Sequence, residues 1–153
     1  MAYKGRYKPK NPHKYMGDST KITWRSLWEK KMMKKFDTQS RFIRWASEEV
    51  VVPYFMPGKL GLKGKWHRYF PDFVVEVKQA DGPPKIIMIE VKPHAQTNKP
   101  KIPKKRTPKT RRRHLKEGLT YAVNQTKWEY ARAFCAKHGW QFQILTEKDV
   151  KFT

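Results

Sequence analysis

The chain has 153 residues, enough for one domain with a single core. Its 35 Lys and Arg against 13 Asp and Glu give a formal net charge of +22, which calls for a polyanionic partner, either nucleic acid or an acidic membrane surface. No apolar run approaches a bilayer span and no signal-peptide pattern is present, so a membrane is disfavoured. The single cysteine, Cys135, excludes an intrachain disulfide framework and fits a reducing compartment, and without CxxC or HExxH a structural zinc site is not expected.

Residues 1–19 are basic and interrupted by Gly5, Pro9, Pro12 and Gly17, which reads as an extended arm. Its Tyr3, Arg6, Tyr7, Lys8, Lys10 and Tyr15 would lie on a phosphate backbone or a partner protein, or stay solvated. A helix is expected from about Trp24 to Phe36, with Thr23 as N-cap and Ile22 and Leu27 as a hydrophobic staple. Trp24, Trp28, Met32 and Phe36 recur at helical spacing as its buried stripe. Glu29 sits on or beside that stripe. It is either a functional carboxylate or, in Ser26-Leu27-Trp28-Glu29, the far end of a capping box.

Ser47–Tyr54 reads as the first strand, with Glu48 and Glu49 at its entry and Pro53 marking an edge or an end. Gly58, Gly61 and Gly64 with Lys59, Lys63 and Lys65 form a flexible basic turn. His67–Val77 is the second strand, Asp81-Gly82-Pro83-Pro84 a turn, and Lys85–Lys92 the third strand.

From Pro93 to Lys116 no residue is acidic, and Lys99–Lys116 holds ten Lys or Arg in eighteen positions with three prolines. Such a stretch cannot bury an apolar face, so about 93–116 is expected to be a mobile basic insertion in one domain spanning 20–153. Because it leaves directly from the third strand, it would close over a nucleic-acid backbone; the alternative is a generic solvated loop. The candidate DNA contacts are Lys65, Arg68, Lys99, Lys101, Lys104, Lys105, Arg106, Lys109, Arg111, Arg112 and Arg113. Thr120–His138 is the second long helix, with Tyr121, Trp128, Ala131, Phe134 and Cys135 buried and Gly139 as its stop. Asn124 and Lys127 either aim polar groups at the sheet or are simply exposed. Gln141–Leu145 is the last strand, followed by a short basic end.

The second and third strands are apolar yet carry carboxylates, Asp72 and Glu90, and Lys92 shares a strand face with Glu90 because side chains alternate. If the two strands pair, Asp72 sits beside Glu90. Two readings fit: solvated residues on an exposed face, or an acid pair with an amine that holds a metal. Charges in a strand apolar on both faces are costly unless paired or metal-bound.

The order helix, three strands, helix, strand, with Pro71-Asp72 and Glu90-Val91-Lys92 in the second and third strands, resembles the PD-(D/E)XK nuclease superfamily over about Thr20 to Leu145. A closer resemblance, through nearly the whole chain, is to the head completion proteins of T-even-like tailed phages. It is carried by Met-Ala-Tyr-Lys-Gly at the start, Pro9-Lys10-Asn11-Pro12, Lys14-Tyr15 with Gly17-Asp18, Lys21-Ile22-Thr23 and Trp28-Glu29. Ser47-Glu48, Pro53-Tyr54, Arg68-Tyr69-Phe70, Asn124, Lys127-Trp128 and Ile144-Leu145-Thr146-Glu147 continue it. The longer, more basic 93–116 segment departs from it.

The resemblance implies an α/β fold with a restriction-endonuclease-like core, ordered helix-strand-strand-strand-helix-strand, whose mixed sheet has flanking helices. It also implies a deoxyribonuclease, an endonuclease, dependent on Mg²⁺ with Mn²⁺ able to substitute. Asp72, Glu90 and the Val91 carbonyl would hold the ion, Lys92 would orient the attacking water, and Glu29 would complete the catalytic set. Glu48, Asn124 and Lys127 would be accessory. The substrate would be DNA, and phage head, portal or neck proteins the partners. Action would come at head completion after packaging, in the virion or in the host cytoplasm during assembly. The rival readings are a branched-DNA resolvase or repair-type endonuclease, and a non-catalytic DNA-binding protein of the phage head or neck.

Overall fold

A computed structural model describes residues 4–58 and 61–149; Tyr3, Lys59 and the basic end at 150–153 lie outside them. In chain order come strands β1 (Gly5–Arg6) and β2 (Thr23–Trp24), helix α1 (Leu27–Thr38), and strands β3 (Phe42–Ser47), β4 (Val52–Met56) and β5 (Lys65–Tyr69). Strands β6 (Phe73–Val77) and β7 (Lys85–Val91), helix α2 (Pro108–His138) and strand β8 (Gln141–Leu145) follow. Single 3₁₀ turns occupy Pro12–Lys14 and His94–Thr97.

The central sheet runs β3-β6-β7-β8. β3, β6 and β7 are antiparallel neighbours, whereas β7 and β8 are parallel and need a crossover, which α2 supplies. The sheet is therefore mixed, with helices on both sides. Alternation along β6 and β7 feeds two cores. Phe73, Val75 and Ile89 join Trp45 and the α1 residues Met32, Met33 and Phe36 on one face. Val74 and Met88 join Trp128, Ala131 and Cys135 of α2 on the other, where Val52, Tyr54 and Tyr69 of the β4–β5 hairpin also pack.

Several sequence expectations give way here. The expected first strand, Ser47–Tyr54, straddles a break: Glu48 adopts a left-handed backbone (φ 53°) between β3 and β4. The expected second strand, His67–Val77, is split at Phe70-Pro71-Asp72, since Pro71 has no N–H to donate and β5 pairs with β4 instead. The element order thus includes a hairpin, and a β1–β2 pair, that the six-element pattern lacks. α1 is capped by Ser26, not Thr23: the Ser26 hydroxyl accepts the Glu29 N–H at 3.0 Å. Residues 108–116, expected to be an unstructured insertion, are the first turns of α2. Thr107 and Thr110 form its capping box, and Pro108 at the first turn loses no hydrogen bond that the helix could have made.

The extended arm is also corrected for the residues described. Gly5–Arg6 pairs with Thr23–Trp24, and Tyr15 is buried edge-on against Trp45. The anchor is Asp37, 0 % exposed at the end of α1. Its carboxylate accepts from the Tyr7 hydroxyl (2.7 Å) and the backbone N–H groups of Lys10 (2.8 Å) and Asn11 (2.9 Å). Burial alone would raise its pKa; these donors reverse that and hold it below the usual carboxylate range. Asp37→Ala should therefore cost about 2–3 kcal/mol in denaturant unfolding, since three part-buried donors lose their acceptor. Amide exchange at residues 5–11 should rise by more than that of β7. An unchanged exchange pattern at 5–11 would contradict the anchoring role.

Candidate active site

The register Phe73↔Ile89 in the β6–β7 ladder, continued by one residue, sets Asp72 opposite Glu90. β6 has ended there, so the Val91 N–H finds no backbone acceptor and donates to Asp72 Oδ2 at 2.7 Å. On the other edge of β7 the Lys92 N–H donates to the Leu145 carbonyl at 3.0 Å. In a trans peptide the carbonyl opposes the N–H, so the Val91 carbonyl points back towards Asp72. Glu90 is buried and faces α2. Its Oε2 accepts from the buried Tyr69 hydroxyl, and its Oε1 lies 3.5 Å from Lys92 Nζ. The pairing of Glu90 with Lys92 confirms that both leave the same face of β7.

The electrostatics are those of crowded negative charge. Burial, then the charge of Glu90, pushes Asp72 up to about 8, against the opposing Val91 N–H. Burial also raises Glu90, opposed by Tyr69, Lys92 and Lys127. Tyr69 is raised in turn by burial and by Glu90, so its phenol stays a donor. Lys127 of α2 lies over the rings of Tyr69 (5.6 Å) and Tyr54 (5.9 Å).

Glu29 reaches back to accept the Arg25 N–H at 2.9 Å, which makes it a helix-start residue in the first instance. Its charge nevertheless raises both Asp72 and Glu48. Glu48, on its left-handed backbone, donates its N–H to the Asp72 carbonyl at 3.2 Å and pairs with Arg25 at 2.6 Å. A non-glycine residue in that conformation costs about 1–2 kcal/mol, and these contacts hold it there. Asn124 is buried one turn before Lys127. The basic candidates fall on three segments: Lys65 and Arg68 exposed on β5, Lys99, Lys101 and Lys104–Arg106 on the segment after β7, and Lys109 and Arg111–Arg113 on the first turns of α2.

Among the described residues no three His, Cys, Asp or Glu side chains converge as a ready-made metal cluster. What is present is two carboxylates and a carbonyl, with charge that a cation would relieve. Mg²⁺ and similar hard ions are commonly held by one or two carboxylates while keeping several waters, so the donor set fits such an ion. The Tyr69 role was missed from sequence. Its only trace is a hydroxyl-bearing aromatic three residues before Asp72, inside a strand where aromatics are ordinary.

Because the folded protein holds protons on Asp72 and Glu90 at pH values where the unfolded chain has lost them, stability should fall as pH rises from about 4 towards 8. Thermal melts in chelator should accordingly show a lower Tm at pH 8 than at pH 5, Mg²⁺ should restore more of it at pH 8, and Asp72→Asn should flatten the difference. A Tm equal at both pH values in chelator and unaffected by Asp72→Asn would count against the crowded pair.

A family model described as TnsA-like endonuclease N terminal matches residues 39–147, which includes β3 to β8 and every carboxylate of the site except Glu29. The head completion nuclease of Enterobacteria phage T4 is 39% identical over 151 residues, covering 99% of this chain and 95% of that protein. No solved structure gives a significant match. An endonuclease-family match over most of the sheet, and similarity to that nuclease from end to end, lead to one assignment: the chain belongs to the TnsA-like endonuclease family and to that of the phage head completion nuclease.

Proposed function

We propose that the protein is a divalent-metal-dependent DNA endonuclease that acts in tailed-phage head completion. The observation that carries the reading is the Asp72–Glu90 pair at the end of the β6–β7 ladder, in a chain of net charge +22 belonging to an endonuclease family. Asp72, Glu90 and the Val91 carbonyl hold Mg²⁺ or Mn²⁺. When bound, such an ion lowers the pKa of coordinated water and offsets the charge that builds on the phosphate.

The protein's own groups do the rest. Tyr69 fixes the Glu90 carboxylate, and the charges of Lys92 and Lys127 oppose the burial that raises its pKa. Lys92 orients the water that attacks phosphorus in line with the leaving 3′ oxygen, and its ammonium stabilises the transition state. Glu29 has a carboxylate oxygen beyond its helix-start bond and accepts from water at the rim; Glu48 supports Asp72 from the break between β3 and β4. The exposed cations of β5, the 99–106 segment and the first turns of α2 grip phosphates, which positions DNA without reading its sequence. Work on a packaged genome would take place during assembly in the host cell, beside head, portal or neck proteins.

The test is nicking of supercoiled plasmid with Mg²⁺ or Mn²⁺. Asp72→Ala should abolish nicking while DNA affinity in chelator stays close to that of the wild type, and Lys92→Ala should slow nicking roughly 10²–10³-fold. Wild-type protein that binds DNA but cuts no form of it with either ion would reduce the molecule to a clamp.

A further inference from the structure

We propose that a cleft beside the acidic pair receives an unpaired strand of DNA, so that this nuclease engages DNA where duplex gives way to single strand. The inference builds on the nuclease reading above and names the form of its substrate. The cleft, about 900 Å³, lies between the segment that follows β7 and the first half of α2. A cube of that volume is roughly 10 Å on an edge, whereas the major groove of a duplex alone is about 12 Å wide. A duplex does not enter; a short stretch of one strand does.

The lining matches that ligand. Lys99, Lys101 and Lys116 are exposed on it, and none of the three makes an ion pair or side-chain hydrogen bond to another described residue. The two acids in the lining are already engaged: Glu117 pairs with Arg113 at 3.7 Å, and Glu147 accepts the His94 N–H at 2.9 Å. Three lysines against two carboxylates, one of them paired with Arg113, leave the lining cationic, as a phosphate backbone requires. Tyr121 on its helical wall is half-buried and offers a ring for a base to stack on, which is how single strands are held without regard to sequence. Asn124, only 5 % exposed, also lines the cleft and brings an amide able to bond a base edge or a phosphate.

Both walls are close along the chain to residues that stand around Glu90. His94 follows Lys92 by two residues, and Asn124 precedes Lys127 by less than one turn of α2. A strand lying in the cleft thus leads its adjoining phosphate to Asp72 and Glu90.

The experiment is fluorescence anisotropy in chelator, where cleavage cannot enter, comparing a blunt duplex with the same duplex carrying a few unpaired nucleotides. The wild type should bind the overhang duplex about tenfold more tightly, and Tyr121→Ala should remove most of that advantage while leaving blunt-duplex affinity unchanged. Lys116→Glu, at an exposed position on the cleft outside the cations assigned to the general phosphate grip, should also weaken the overhang duplex selectively. Equal wild-type affinity for the two duplexes, or variants that weaken both alike, would overturn the inference. Plasmid nicking measured alongside keeps the two readings apart, because it persists in a nuclease that has no single-strand subsite.

Discussion

A buried carboxylate, Glu90, and a half-buried one, Asp72, brought face to face are the constraint on which the rest of the structure depends. β7 runs two residues past its pairing with the first residue of β6, and the Asp72 side chain fills the gap by accepting the Val91 N–H. That single bond ties the carboxylate to the ladder, aims it at Glu90, and leaves like charges together in a poorly solvated place. Such an arrangement is unfavourable in isolation. The protein tolerates it because Tyr69, Lys92 and Lys127 stand around Glu90, and because the two cores on either face of the sheet hold β6 and β7 in register. Stability given up at such a place is characteristic of a site kept for chemistry.

The surrounding architecture serves that pair in distinct ways. α1 and the break after β3 supply Glu29 and Glu48, with Glu48 on a strained backbone whose N–H meets the Asp72 carbonyl. The β4–β5 hairpin delivers Tyr69 from the other side, and α2 delivers Lys127 and Asn124. The residues from Lys99 to Arg113 then carry cationic charge outward from the end of β7. The first turns of α2 have no buried residue before Asn124, so charge rather than packing dictates their composition.

Much of the centre was legible because it is local. Two apolar strands, a Pro-Asp and a Glu-X-Lys suffice to place Asp72, Glu90 and Lys92, since strand alternation fixes which residues share a face. Glu29 illustrates the limit: the same four residues spell a capping box and a functional carboxylate, and the helix start is what the hydrogen bonds show. Tyr69 and the Asp37 anchor were not legible, because each acts through a partner 21 or more residues away. The prolines at 100, 103 and 108 suggested an unstructured insertion, yet Thr107-Pro108 is a helix start; without an apolar stripe in the turns that follow, periodicity could not reveal it. The hairpin was missed because Phe70-Pro71-Asp72 lies inside what reads as one continuous strand.

The most direct measurement is anomalous scattering from crystals soaked in Mn²⁺. A single strong peak at metal–oxygen bonding distance, roughly 2.0–2.3 Å, from carboxylate oxygens of both Asp72 and Glu90 is the expected result. A peak bound elsewhere, with the Asp72–Glu90 pair left without an ion at saturating Mn²⁺, would contradict the central claim that these two carboxylates exist to hold one.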